Sequence, residues 1–446
     1  MSLCFAHTPC LSRCRPLKQE RSRHPGLCVS ASMVPPSETD LGALWRAAQA
    51  LPHEPPVRLA HTPRGRGLIV SRSGGLAPGD TVVSVPLDLC LSVDYDAPGA
   101  DAVLGQLLLD ACKQHGFWRL YREAVLPQDT GAAALWQPEL IEQLQWQPAV
   151  EEALAARLQF KSLAARMVGG DSIEDRLWAL SIVHSRSFAV QTEHGRLRVL
   201  APIADLANNE QIPAANVASS EAESPWGLYK GRFVLFATAP FSEGNELTMF
   251  YGHETSASLL ISYGFAPDSN ACDFLDMYSD LHELCDDDRW MRDRDSVGLA
   301  TKKRQVLWSA DAAAAPLAVR PGGLRASAHL LGCLRVLHCT ATLLHALEES
   351  YDEAVGHFVW TWKQGAGGEQ QRVDALALHH ACERAKELLH EMGSAIEADE
   401  AELAELRGSP ELLAAIRFRI SVKQTLTQFI DEAADARGKG AGKGLF

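Results

Sequence analysis

The sequence predicts an α+β chain: short β-sheets interrupted by a helical insert, followed by an all-α C-terminal domain. Three observations predict it. Short runs rich in Val, Ile and Leu, bounded by Gly and Pro, fill residues 57–93 and return between 197 and 251. Between about 100 and 183, apolar residues instead recur at i, i+3, i+4 and i+7. From about 324 to 436 only the helical spacing persists.

The elements follow in order. Residues 1–32 carry Arg13, Arg15, Lys18, Arg21 and Arg23 against the single acid Glu20, with no apolar block of the secretory kind. A basic, acid-poor, Ser-containing leader reads as an organelle transit peptide, with Cys28–Ala31 as the cleavage region. The expected address is the chloroplast stroma, with the mitochondrion as the alternative. Residues 33–56 are a helical lead-in. Leu68-Ile69-Val70 and Thr81-Val82-Val83-Ser84-Val85 read as strands, the second stopped by Pro86. Leu104, Leu107, Leu108 and Ala111 open the helical insert, and Trp178, Ile182 and Val183 close it.

Strand patterns return at Leu197-Val199-Leu200, Phe233–Phe236 and Leu247-Met249-Tyr251. The polar stretch Glu210–Trp226 is expected to be a loop. Ser242-Glu243-Gly244-Asn245 reads as a hairpin-like turn joining the last two strands. Residues 271–323, with Asp286, Asp287 and Asp288 and an Ala/Pro/Gly stretch, read as a linker region. Beyond it, Leu330, Leu331, Leu334 and Leu337 open one amphipathic face and Ala415, Phe418, Val422, Leu426 and Phe429 form another. The Gly- and Lys-rich residues 437–446 are a disordered tail.

Composition narrows the partners. With 22% charged residues and no apolar run of the roughly 18 residues needed to span a bilayer, the chain reads as soluble. A monomer is the working expectation, which no feature of the sequence fixes. Loss of the leader takes its net charge from −14 to about −18. A strongly acidic surface repels nucleic acid and anionic membrane and suits a basic, lysine-bearing partner. Of 11 Cys, Cys4, Cys10, Cys14 and Cys28 lie in the leader, and the remaining seven show neither C-x-x-C pairs nor a disulfide pattern. They read as reduced, buried apolar residues, with no metal site.

Three segments could carry chemistry. Arg64-Gly65-Arg66-Gly67-Leu68 lets a backbone approach a ligand closely, but it runs into a strand, which disfavours a dinucleotide fingerprint. It could equally be a plain turn. Ala201–Asn209 ends in Asp205 and the amides Asn208 and Asn209, which can hold a ligand edge or a turn. Phe250-Tyr251-Gly252 and Tyr263-Gly264-Phe265 bracket a short helix, and Ser185-Arg186-Ser187-Phe188 ends an earlier one.

The order of these pieces is specific. R-G-R-G-L, G-D-x-V-V-S-V-P, S-R-S-F, P-x-A-D-L-A-N-N, then Y-G and Y-G-F fall in sequence. The series resembles the SET-domain β-fold, in the branch typified by the plastid RuBisCO large-subunit lysine methyltransferase. It covers residues 57–270. A weaker similarity, at Ile396–Glu400 and Ala415–Arg419, makes 324–436 resemble that branch's helical substrate-binding domain.

The resemblance implies an S-adenosylmethionine-dependent protein-lysine N-methyltransferase with a non-histone, plastid substrate. RuBisCO large subunit and fructose-bisphosphate aldolase are the proteins it suggests. Arg64, Gly65, Arg66 and Leu68 would contribute to the cofactor site, with Asn208 and Asn209. Arg186 would lie at the boundary of cofactor and substrate, with Asp205 and Tyr251 on the substrate side. Tyr263 would be the reaction-centre tyrosine. Two positions depart from the branch: Asn209 stands where it usually has His, and Val190 where the plastid enzyme has a substrate-side Arg. Cys272 and Cys285 stand alone where histone-type members place a zinc cluster. The competing expectations are a histidine acceptor, as in an actin-modifying branch, and a SET-like binding module without catalysis.

Overall fold

The computed structural model describes residues 56–438 apart from 115, 193–194, 211–225, 230, 291–296, 309–314, 354–356, 364–366 and 408. All of these fall within one compact unit, Pro36–Phe446. The predicted leader, nearly all of the lead-in, the interior of the Glu210–Trp226 loop and residues 439–446 lie outside the described residues.

Three small sheets build the first part. The hairpin Val57–Thr62 and Gly65–Val70 pairs in register from Val57↔Val70 to Thr62↔Gly65. Its second strand pairs with Glu246–Met249, which in turn pairs in parallel with Asn208–Asn209. This sheet brings the glycine-rich strand and the Asn pair together although 140 residues of chain separate them. A second sheet joins Thr81–Pro86 to Arg232–Phe236 and Trp226–Tyr229. A third places Gly195–Leu200 between Leu91–Asp94 and Ser187–Thr192.

The turn at Ser242–Asn245 does not make a hairpin of Phe233–Phe236 and Leu247–Met249. The two strands belong to different sheets, because the intervening chain bridges Leu76 through Phe241 and delivers Glu246 beside Ile69. Turn chemistry marks the bend, but the neighbour each strand takes is decided by which buried face it must cover.

The helical insert comprises Ala100–Lys113, Phe117–Ala124, Gln147–Arg166 and Ile173–Arg186. Leu104 and Leu108 are fully buried, but Leu107 is 39% exposed and Ala111 half-buried, so the buried stripe is narrower than the sequence spacing implies. Ser172 caps the last of these helices by accepting from the Asp175 backbone N–H at 3.0 Å. That helix runs to Arg186, so its final turn delivers the arginine to the site.

Residues 271–323 are not a linker. Leu275–Tyr278 pairs with Leu317–Val319, and the helices Leu281–Asp286 and Val297–Trp308 lie between them. Met277, Leu284, Trp290, Leu307 and Val319 are buried. Strands of three and four residues hold too few repeats to show a period in sequence.

The C-terminal region is helical, through Ala328–His338, Gly368–Glu391, Ile396–Glu405 and Pro410–Gly438, with one addition. Leu347–Asp352 and His357–Trp362 form an antiparallel hairpin on it. Leu330, Leu334, Leu337, Leu426 and Phe429 make its core. The helix Pro410–Gly438 is tied to the insert by buried polar groups. Lys423 Nζ pairs with Asp399 at 2.5 Å and donates to Gln145 Oε1 at 2.9 Å, while Arg419 Nη1 donates to the Gln143 carbonyl at 3.3 Å. Burying those charges is tolerable only because each is paired. Among the described residues every cysteine is free, and all but Cys272 are buried.

Candidate active site

The site starts at the hairpin turn. Gly65 sits at φ 102°, where a side chain would be strained, and Gly67 has no room for one. A Cβ there would lie 2.5 Å from Asn208 Nδ2 and 2.8 Å from Glu246 Oε1. Bare backbone therefore lets Asn208 close over the strand, donating to the Arg66 carbonyl at 3.2 Å and to Glu246 Oε1 at 2.8 Å. Glu246 also accepts from Thr62 Oγ1 at 2.8 Å and pairs with Arg64 at 3.0 Å. Arg64 reaches Glu210 as well. One carboxylate thus fastens the turn, the arginine and the asparagine.

Asn209 works through its side chain: its Oδ1 accepts the Tyr251 backbone N–H at 3.1 Å. Parallel pairing with Met249 holds it in place. The Tyr251 hydroxyl donates to the Ala207 carbonyl at 2.8 Å. The Tyr251 and Tyr263 rings lie 5.0 Å apart with 34° between their planes. Tyr263 ends the helix Ser256–Tyr263, and Gly264 at φ 82° turns the chain away beneath it. Its hydroxyl makes no hydrogen bond among the described residues.

Arg186 donates to the Asp205 carbonyl at 2.9 Å and lies 3.4 Å from its carboxylate. Asp205 follows Ile203, a β-branched residue at φ 75°. Such backbone persists only where its surroundings over-determine it. Here they do: the Ile203 N–H donates to the Tyr121 hydroxyl at 2.8 Å, and that hydroxyl donates to Asp205 Oδ1. Burial pushes the Asp205 carboxyl up against the opposing pull of Arg186. The Tyr263 phenol is pushed up by burial first and by Glu254 second, so it stays neutral across physiological pH.

Two clefts flank the tyrosines. The larger, about 830 Å³, is lined by Arg64, Gly65, Arg66, Asn208, Asn209 and Glu210. The smaller, about 310 Å³, is lined by Tyr95, Arg196, Arg198, Phe250 and Glu254. Ser185, Arg186, Asp205, Tyr251 and Tyr263 face both. The arrangement suits a reaction between two ligands, one in each cleft, that meet at the residues both clefts share, Tyr263 among them.

Of the residues singled out in sequence, Arg64, Gly65, Arg66, Arg186, Asp205, Asn208, Asn209, Tyr251 and Tyr263 line the larger cleft. Leu68 does not. It is fully buried beneath the sheet between Leu59 and Leu247, supporting the site from below. Tyr121, Glu246 and Glu254 were not legible as site residues. Glu246 left one signal, an acid opening an otherwise apolar strand. Tyr121 lies in a helix where only burial of its hydroxyl shows that it needs partners.

The model of the Rubisco LSMT substrate-binding family matches residues 295–426. An actin-histidine N-methyltransferase of Callithrix jacchus is 24% identical over 197 residues, covering 40% of this chain. The chain spans only 31% of that relative's length. The solved SET domain of LSMT bound to methyllysine and AdoHcy superposes with a TM-score of 0.60 at 17% identity, covering 89% of this chain and 92% of that one. Rubisco LSMT bound to AdoMet superposes with a TM-score of 0.57 at 18% identity, covering 90% and 92%. These likenesses establish the fold: SET-type sheets with a helical insert and a helical C-terminal region.

Proposed function

We propose that this chain, built on the SET fold with an LSMT-type substrate-binding region, is an S-adenosylmethionine-dependent protein-lysine N-methyltransferase. Its substrate on this reading is a non-histone protein of the plastid stroma, with RuBisCO large subunit and fructose-bisphosphate aldolase as first candidates. One observation carries the reading: the Tyr263 hydroxyl has no hydrogen-bond partner among the described residues and stands where the two clefts meet.

The larger cleft fits the cofactor. Its volume is that of a typical small-molecule site. Its lining offers guanidinium groups for a carboxylate, amides for a base edge, and a glycine turn for close backbone approach. Bound there, S-adenosylmethionine would supply an activated methyl group on a sulfonium.

The protein's own part is alignment. Tyr251 has committed its hydroxyl to the Ala207 carbonyl, so it supports the site rather than meeting the amine. Tyr263, held neutral by burial, acts as a hydrogen-bond partner that orients the lysine nitrogen and not as a phenolate base. Such positioning contributes several kcal/mol to a displacement, on the order of the effects measured for oriented reactants. The lysine's own proton loss is favoured by leaving water in the narrow cleft.

Calorimetry with S-adenosylmethionine tests the reading first, and absence of affinity would overturn it. Labelled cofactor added to a stromal extract then identifies the acceptor. A histidine acceptor is the second reading, favoured by the actin-histidine relative. Mass spectrometry of the modified residue separates the two.

A further inference from the structure

The smaller cleft carries two charges that alignment at Tyr263 leaves unused. Arg186, His184, Arg196, Arg198 and Glu254 all face it. Three are neutralised within the protein. Arg186 is matched by Asp205, while His184 and Arg198 share the carboxylate of Asp101. Arg196 and Glu254 form no ion pair among the described residues. The Arg196 guanidinium lies over the Tyr95 ring, its Cζ 4.0 Å from the centroid, a cation–π contact that restrains it at the cleft. Glu254 is fixed at its backbone, whose carbonyl accepts from Asn270 at 2.9 Å, leaving the carboxylate on the same cleft as Tyr263.

We propose that this cleft selects a target lysine that has a carboxylate close to it in the substrate. Glu254 attracts the incoming ammonium, and Arg196, stacked on Tyr95, takes the neighbouring carboxylate. The inference rests on the methyltransferase reading and names its substrate class. A cation with no ion pair among the described residues is conspicuous in a chain of net charge −14, and a guanidinium held against an aromatic ring is a good carboxylate receptor. Because Arg196 is exposed, the preference should be modest, about three- to fivefold, the size of an exposed ion pair.

The test uses the full chain, with S-adenosylmethionine binding established by calorimetry. Acetylated hexapeptides with one central lysine, flanked by Asp, Ala or Arg, are then offered with labelled cofactor. The Asp-flanked peptide should be methylated about three- to fivefold faster than the Ala-flanked one. Arg196→Gln should abolish that preference and Arg196→Lys keep most of it. Cofactor affinity should stay constant in both, since Arg196 faces only the smaller cleft. Glu254→Gln should slow all three peptides alike. Equal rates in the wild type, a preference surviving Arg196→Gln, or no incorporation into any peptide with cofactor bound would overturn the inference. Failure to bind cofactor would instead remove the enzyme reading beneath it.

Discussion

The ring of Tyr251 packs 5.0 Å from that of Tyr263, yet among the described residues only one of the two hydroxyls has a hydrogen-bond partner. The Tyr251 hydroxyl donates a hydrogen bond to the Ala207 carbonyl, and the Tyr263 hydroxyl makes none among the described residues. On the proposed methyltransferase reading the pair divides the labour: Tyr251 builds the wall and Tyr263 meets the amine. Two of the four predictions below follow from that division.

Tyr263→Phe removes a hydroxyl that makes no hydrogen bond among the described residues. Stability should change by no more than about 0.5 kcal/mol, while the methyl-transfer rate should fall roughly 100-fold, within the range of a lost orienting hydrogen bond. Thermal unfolding and single-turnover methylation measure the two quantities. An unchanged rate would show that Tyr263 is misassigned.

Tyr251→Phe should behave in the opposite way. It leaves the Ala207 carbonyl without its partner and should cost about 1–2 kcal/mol of stability. Its effect on rate should be smaller than that of Tyr263→Phe, because its hydroxyl points into the wall. Denaturant unfolding beside the same rate assay would expose an inverted order.

Glu246→Ala should dismantle the larger cleft from a residue that need not touch the cofactor. It removes one partner each from Thr62, Asn208 and Arg64, which keep the Gly65 carbonyl, the Arg66 carbonyl and Glu210 respectively. A loss of about 2–3 kcal/mol of stability is expected from the three lost contacts, with weaker cofactor binding. Gly67→Ala should weaken binding by the same route, since its Cβ displaces the Asn208 amide. Calorimetric affinities equal to wild type in both variants would separate the cofactor site from this network.

Away from the site, Asp287 predicts a pH dependence of stability. Burial opposes its ionisation, but hydrogen bonds from His380 at 3.1 Å, from Arg289 and from Tyr278 at 2.8 Å outweigh it and hold the carboxyl well below the usual range. A depressed carboxylate stabilises fully above its unfolded value and loses that contribution as pH falls through the folded one. Asp287→Asn should therefore cost about 2–4 kcal/mol at neutral pH, with the gap to wild type narrowing below roughly pH 4. Urea titrations at pH 7, 5 and 3.5 would show a constant gap if the assignment is wrong.

The residues of the site were legible because their order along the chain is unusual, although each motif alone was ambiguous. Asn209 shows what the order could not say. Its sequence position marked a departure from histidine, and the fold shows its amide oxygen holding the Tyr251 N–H, a task that needs only an acceptor. Leu68 shows the converse: it belongs to the motif, but side chains alternate along a strand, and its place in that alternation turns it into the core.

By itself the sequence determined the classes of element up to residue 270, the helical insert and the series from Arg64 to Tyr263, since periodicity and turn chemistry are local properties. Tertiary structure alone decided which strands are neighbours, as when Glu246 lands beside Ile69 instead of completing a hairpin with Phe236. It also ordered residues 271–323, whose strands are too short to announce themselves. Above all it decided which of two similar tyrosine hydroxyls is left without a hydrogen bond among the described residues. That follows from a single backbone carbonyl, Ala207, brought within reach of Tyr251 across 44 residues of chain, and no local pattern encodes such a contact.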